Sequence, residues 1–429
     1  MRRVIDVTDL TVWHGNLSGI QRVVYEMTIR YVGRPDVEFC YYVEQDQRFY
    51  RISDIDALLH PAGVAIQDSN ESQSKLRAQM IHRTKRGLRA LTPPIITRLS
   101  RAGRGRLQKT IARGDNGGRV DHVFRQGDTS FMFQSDDILI VYGAHWDKPH
   151  YTEVVSDLKE TVGIRLVHNI NDFIPVYDRS HTAEVEHERF PRYMQAICEL
   201  SDAILFISEA TRRDYERFLV DYNITNRAKT GVMILGEDIN QKQAERPKNI
   251  VDEPFILNVG TIEVRKNPVL LYQVYRLAEE RGVDLPHLYL VGRMGWLTGD
   301  IYYQMIHDSR VSDKIHIRHD IDDKGLSWMY DNCEFFVFPS YYEGWGLPIA
   351  EAAYHHKVSV ASHSSSIPEV LGEYAKYFSP YSADECLNAI VKMMDRAHRT
   401  GYEKKLRHRA PQTWDDTYKD AEKIIDKVG

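Results

Sequence analysis

The chain has 429 residues, 42% hydrophobic and 27% charged, which suits a soluble globular protein large enough for two cores of ordinary size. Its formal net charge of −5 leaves no global basic footprint for nucleic acid. Four scattered cysteines (Cys40, Cys198, Cys333, Cys386) fit neither a disulfide framework nor a zinc site, no apolar run reaches the roughly 18 residues of a membrane span, and "MRRVIDVTDL" lacks a signal peptide's apolar core, so a cytoplasmic protein is expected.

"RRVIDVT" predicts a β-branched strand. "VWHGNLSGIQRVVYEMTIRYV" predicts a loop holding Gly15 and Gly19, then a helix with Ile20, Val23, Val24, Met27, Ile29 and Val32 at near-helical spacing. Strand, glycine loop and helix open a doubly wound α/β domain, and "VEFCYYV" reads as its next strand. From Lys75 to Arg125 the character changes. That segment holds 14 Lys and Arg against Asp115 and Asp121, a net +12 that leaves −17 for the remainder. It reads as an insertion into the first domain. Alternation resumes with "ILIVYG", "IRLVHN" and "AILFIS", apolar runs typical of buried parallel strands. Ser208 offers an N-cap for a helix over "EATRRDYERF", and "TGVMILG" closes this half.

The expected organisation is a first α/β domain over 1–235 with the basic insertion at about 75–125, a polar linker over 236–254, and a second α/β domain over 255–405. A final helix lies within 406–429. In the second half "FILNVG", "HLYLVG", "KIHIRH", "EFFVFPS" and "HKVSVASH" read as strands. "SSSIPEVLG" reads as a capping box from Ser366 to Glu369, and "SADECLNAIVKMMDRAHRTG" as one helix.

Ligands of parallel sheets sit at the carboxyl ends of the strands, where four loops are polar and glycine-marked: Trp13 to Gly19, Asn169 to Asp172, Gly260 to Asn267, and Tyr341 to Gly346. In "YYEGWGLPIAEA", Gly344 and Gly346 free the backbone, and Leu347-Pro348 starts a helix whose first amides suit a diphosphate. Glu351 is expected in that helix's first turn, within reach of ribose hydroxyls. Glu343 is expected on the loop, facing the group beyond the phosphates. A bland reading makes Glu351 an acid that merely stabilises a helix start. In "GTIEVRKN", Arg265 and Lys266 are placed to neutralise a diphosphate leaving group, or are simply a solvated basic loop. His168 and Asp172 in "VHNINDFIP" are candidates to hydrogen-bond a sugar or acceptor hydroxyl, against a strand-end histidine satisfied by backbone. No metal-ligand spacing, GxSxG or GKS/T pattern is present.

Taken together, "YYEGWGLPIAEA", "VGTIEVRKN", "LVGRMGW", "SSSIPEVLG" and the "SGIQR" loop resemble the family-4 retaining glycosyltransferases of the GT-B fold, whose signature is E-x7-E. The match is strong from Glu253 to Pro380 and weaker at Gly15 to Arg22, Val167 to Val176 and Leu205 to Thr211; Lys75 to Arg125 has no counterpart. The resemblance implies two Rossmann-like domains facing across a cleft, with the last helix crossing back to the first. It implies a nucleotide-sugar donor, GDP-mannose first, and a glycan or lipid-linked glycan acceptor in surface polysaccharide synthesis. Transfer would retain anomeric configuration and need no metal or other cofactor. Glu351 would bind ribose, Glu343 the donor sugar, and Lys266 with Arg265 the diphosphate. His168 or Asp172 would lie at the reacting sugar, while Gly19, Gly260, Thr261, Gly346 and Leu347 line the donor site.

Thr261 departs from an arginine common in the family, so Arg265 is expected to take over that charge, and "HNIND" departs from the usual His-Asp pair. His356 and Ser359 replace a common glycine and proline, read as packing changes. The basic insertion suggests contact with anionic lipid at the inner face of a membrane. Two other readings stand beside the transferase: a catalytically silent sugar-nucleotide binding module, raised by Thr261, and a GT-B-like sugar-nucleotide epimerase.

Overall fold

The computed structural model describes residues 1–12, 19–60, 128–239 and 244–428. The basic segment 75–125 and the loop 13–18 lie outside the described residues. The chain divides into two compact units, Met1–Ser53 with Gly127–Gly429, and Asp54–Gln126. The described part of the second unit is a short helix, Ile55–Leu59, capped by Asp54.

The first unit contains both α/β halves. Its first sheet comprises β1 (Arg3–Asp6), β2 (Val37–Val43), β3 (Arg48–Arg51), β4 (Thr129–Ser130), β5 (Ile138–Val141), β6 (Arg165–Ile170), β7 (Ala203–Phe206) and β8 (Lys229–Val232), in the order β4-β3-β2-β1-β5-β6-β7-β8. The second comprises β9 (Phe255–Val259), β10 (His287–Val291), β11 (Ile315–Arg318), β12 (Phe336–Phe338), β13 (Ser359–Ser362) and β14 (Ala375–Phe378), in the order β11-β10-β9-β12-β13-β14. Every pairing is parallel except β2–β3 and β3–β4. Helices cover the sheets, so the central strands β5, β7, β12 and β13 are buried throughout. Apolar runs made β5, β7 and β12 readable. The edge strands β4 and β14, and β3 beside β4, were not predicted, because short segments such as "RFYR" carry no such run.

Two helical expectations are corrected. The helix expected from Ser382 to Gly401 is two, Ala383–Met394 and Arg396–Arg407, because Asp395 accepts from the Ala397 amide at 2.9 Å and caps a new start. Ser366 makes no side-chain cap. Its hydroxyl instead donates to the carbonyls of Glu343 at 2.9 Å and Trp345 at 3.0 Å.

The last helix, Trp414–Ile425, is opened by a reciprocal capping box between Thr413 and Asp416. It lies on the first half. Its Glu422 accepts from Tyr31 at 2.8 Å and Arg34 at 2.7 Å, the latter just beyond helix Ile20–Tyr31. The two strands of chain that join the halves are bonded to each other. Glu237 N donates to Gln412 O at 2.9 Å, and Trp414 N to Asp238 Oδ1 at 2.8 Å. Trp414 is fully buried over Gly236, where a Cβ would sit 2.4 Å from the Trp414 nitrogen. Arg409 closes this crossing by a two-pronged ion pair to the buried Glu237.

Arg409→Met leaves the Glu237 carboxylate buried and unpaired. A loss of about 3–5 kcal/mol in unfolding free energy is expected, measured by denaturant titration. The double variant with Glu237→Leu should recover much of it.

Candidate active site

Two loops leave neighbouring strands of the second sheet and meet. After β9, Gly260 leads through Thr261 to Glu263 and a single turn, Val264–Lys266. Asn267 then adopts the left-handed conformation and caps helix Pro268–Glu280. Its amide also donates to Pro339 O at 3.1 Å and Pro380 O at 2.8 Å, which ties this loop to the exit of β12. Pro268 follows at a position where its missing N–H costs nothing.

The loop after β12 carries Glu343 into the two cations. Its carboxylate lies 2.6 Å from Lys266 Nζ and 2.8 Å from Arg265 Nη1. Arg265 is further held by Glu263 at 2.6 Å and by the Tyr342 carbonyl at 2.7 Å. The Glu343 backbone is clamped as well: its N–H donates to Ser365 Oγ at 2.8 Å, and its carbonyl accepts from Ser365 and Ser366. Glu343 is only 6% exposed. Burial alone pushes its carboxyl up, but Arg265 and Lys266 outweigh that and bring it down to about 2. Burial pulls the Lys266 ammonium down and pushes the Glu263 carboxyl up. On Arg265, burial is outweighed by Glu343 and Glu263, and the guanidinium stays firmly charged.

The first half supplies the opposite wall. Asn171 and Asp172 follow β6, and a Cβ on Gly344 would sit 2.2 Å from the Asn171 carbonyl, so only glycine permits this approach. Asp172 accepts from Ile174 N at 3.0 Å. Burial raises its carboxyl; Arg265 opposes this, while Glu343 and Asp214 reinforce it. Around this contact the halves are stitched together. Tyr341 stacks on His181 with ring centroids 4.5 Å apart, and the Trp296 indole donates to His181 O at 3.2 Å. Tyr342 bonds Asp214, and Glu369 accepts from Glu209 N at 2.7 Å and pairs with Arg213 at 3.1 Å.

The predicted residues therefore separate into groups. Glu343, Arg265, Lys266 and Asp172 converge. His168 lies in the first core, bonded through Nε2 to Tyr193 at 2.7 Å, with His145 and Asp6 nearby. Burial, and then His145, bring its imidazole down to about 3, so it stays neutral. Glu351 is in the second turn of helix Leu347–Tyr354 and not the first. Tyr330 donates to it at 3.0 Å; burial raises its carboxyl, and Arg22 of the "SGIQR" stretch opposes the rise. Gly346, with φ +111, is the N-cap of that helix and Leu347 its first residue. Gly260 has φ +144 and stands over the Lys266 chain, Thr261 packs against Gly295, and Gly19 caps helix Ile20–Tyr31. His356, read from sequence as a packing change, is exposed and adopts φ +57, a left-handed backbone conformation. Glu263, Asp214, Ser365 and Glu369 were missed. Glu263 alone had a readable signal, an acid two residues before Arg265.

Among the described residues no group of three or more His, Cys, Asp and Glu side chains is arranged to hold a metal, and no helix is long and apolar enough to cross a membrane. A cavity of about 380 Å³ lined by Glu253, His287, Lys314 and Glu334 lies at the amino ends of β9 to β12, away from this cluster.

Over its whole length the chain is similar to sucrose-phosphate synthase from Thermosynechococcus elongatus (TM-score 0.59, 17% identity, 100% of this chain and 99% of that one). It is equally similar to HepE of Anabaena, solved with UDP and glucose (TM-score 0.60, 12% identity, 99% of both chains). The fold is GT-B. Residues 240–412 match the family model for glycosyl transferases group 1, and these residues include the Glu343 cluster. Serotype-specific mannosyltransferase WbdA of Escherichia coli is 23% identical over 282 residues, 62% of this chain and 34% of that protein. O-antigen chain mannosyltransferase B of Escherichia coli is 30% identical over 203 residues, 45% of this chain and 52% of that protein. The chain thus spans about a third to a half of the length of these curated relatives.

In this GT-B cleft the Glu343 carboxyl is depressed from its ordinary 4.5 to about 2. The stability it confers is full above 4.5 and is lost as the pH falls toward 2. Thermal unfolding of the parent and of Glu343→Gln between pH 7 and 3 should show a gap that is constant at the high end and narrows below 4.5. A gap that stays constant throughout contradicts the ion pair.

Proposed function

We propose that the chain is a retaining glycosyltransferase of the family-4 type. Its proposed reaction moves a hexosyl group, mannosyl first, from a nucleotide-sugar to a glycan or lipid-linked glycan in surface polysaccharide synthesis. The observation that carries this reading is the cluster of Glu343, Arg265 and Lys266, which lies in the segment that matches glycosyl transferases group 1, with Asp172 of the first half in its electrostatic reach at the carboxyl end of β6. The two mannosyltransferases of Escherichia coli favour a mannosyl donor, and GDP-mannose is proposed on that ground.

In the proposed reaction the bond from the anomeric carbon to the diphosphate oxygen breaks, and a bond to the acceptor oxygen forms on the same face. The acceptor proton leaves with the departing diphosphate. Lys266 and Arg265 oppose the charge that develops on the leaving oxygen, which supports a reaction without an essential metal. The amides at Gly346 and Leu347 face the phosphates from the helix start. Glu351, steadied by Tyr330, is assigned to the ribose. Asp172 is assigned to the reacting sugar in preference to His168, whose side chain is engaged in the first core.

Incubation with a panel of nucleotide-sugars, with and without a lipid-linked acceptor, should give acceptor-dependent release of one nucleoside diphosphate. Binding without release identifies the silent module, and an altered sugar without acceptor identifies an epimerase. Lys266→Met should lower turnover by about 100-fold or more.

A cytoplasmic protein resting on the inner face of a membrane is part of this proposal, supported by the net +12 of Lys75 to Arg125. Deleting that segment should abolish co-sedimentation with anionic vesicles; unchanged binding refutes the membrane role.

A further inference from the structure

We propose that Glu343 is a built-in counter-ion that a diphosphate must displace, so that this carboxylate sets how weakly the site holds its anionic product. The inference rests on the transferase reading for the identity of the anion.

The two cations are not equally available. Arg265 is fixed on several sides, by Glu263 at 2.6 Å, by Glu343 at 2.8 Å and by the Tyr342 carbonyl at 2.7 Å. With two carboxylates against one guanidinium, Arg265 meets the anion from a fixed place and with much of its charge already countered. Lys266, among the described residues, has one carboxylate within ion-pair distance, Glu343 at 2.6 Å. Its ammonium also lies 5.0 Å from the centre of the Phe338 ring. Lys266 is therefore the cation an incoming anion can recruit, and Glu343 is what the anion must displace. Glu263, by engaging Arg265, keeps that guanidinium from following the anion; it is a positioning residue.

The arrangement discriminates between donor and product. A sugar-ester diphosphate carries less charge than the free diphosphate left after transfer, so repulsion by the Glu343 carboxylate falls more heavily on the product. As the product leaves, the carboxylate returns to Lys266. The site thus keeps its cations paired throughout, and avoids a buried, uncompensated charge at the moment of release.

The test uses inorganic pyrophosphate, which carries neither base nor sugar, in isothermal titration against the parent chain, Glu343→Gln, Lys266→Met and the double variant. Glu343→Gln should bind pyrophosphate about tenfold or more tightly than the parent. Lys266→Met should bind it more weakly, and the double variant no better than the parent. Glu343→Asp keeps the charge on a shorter stem and should fall between the parent and Glu343→Gln; circular dichroism reports whether each variant is folded. Unchanged or weaker binding by folded Glu343→Gln, or Glu343→Asp outside that interval, overturns the proposal. A chain that meets these expectations, yet releases nucleotide from no donor in the acceptor assay, keeps the displaceable counter-ion and loses the transferase.

Discussion

A carboxylate buried between two cations is the constraint on which this cleft depends. Buried charge is tolerated only when it is paired and hydrogen-bonded. Glu343 meets that demand with Lys266 and Arg265, and its backbone is held by Ser365 and Ser366. These residues come from the ends of β9, β12 and β13, and the sheet order puts those three strands side by side. The strand order thus creates the meeting point, and the ion pairs make the loops' conformations mutually dependent.

The first half adds what the second lacks. Asn171 and Asp172 close on Gly344, and Glu369 reaches across to the start of helix Glu209–Asp221. The connecting chains are equally specific. Glu237 and Arg409, with Trp414 on Gly236, join the outgoing and returning segments into one bonded ribbon. Contacts at the cleft and at this ribbon hold the same two sheets from different places.

Much of the architecture was legible because parallel strands buried on both faces announce themselves as apolar runs, as "ILIV" and "FILNV" do. Edge strands such as β4, with two exposed residues, give no comparable signal. At the site, Glu343, Arg265 and Lys266 were visible as charges on glycine-marked loops. That they pair with one another was not, because spacing along a chain does not report distance across a sheet. Ser366 and Glu369 looked like a local capping box; tertiary partners at Glu343, Trp345 and Glu209 claim both side chains instead. His168 and Asp172 were equivalent in sequence, and only the Tyr193 hydroxyl and the packing of the first core tell them apart. The helix begins at Leu347 as expected, but Glu351 is its fifth residue and so falls past the first turn of about 3.6 residues.

The central claim is that the loops around Glu343 receive the diphosphate of a nucleotide-sugar. A crystal structure of the chain with GDP tests it most directly. The account predicts the terminal phosphate on Lys266 Nζ, with the Glu343 carboxylate moved off that nitrogen and the ribose beside Glu351. A diphosphate bound elsewhere, with the Glu343–Lys266 pair intact, would contradict it.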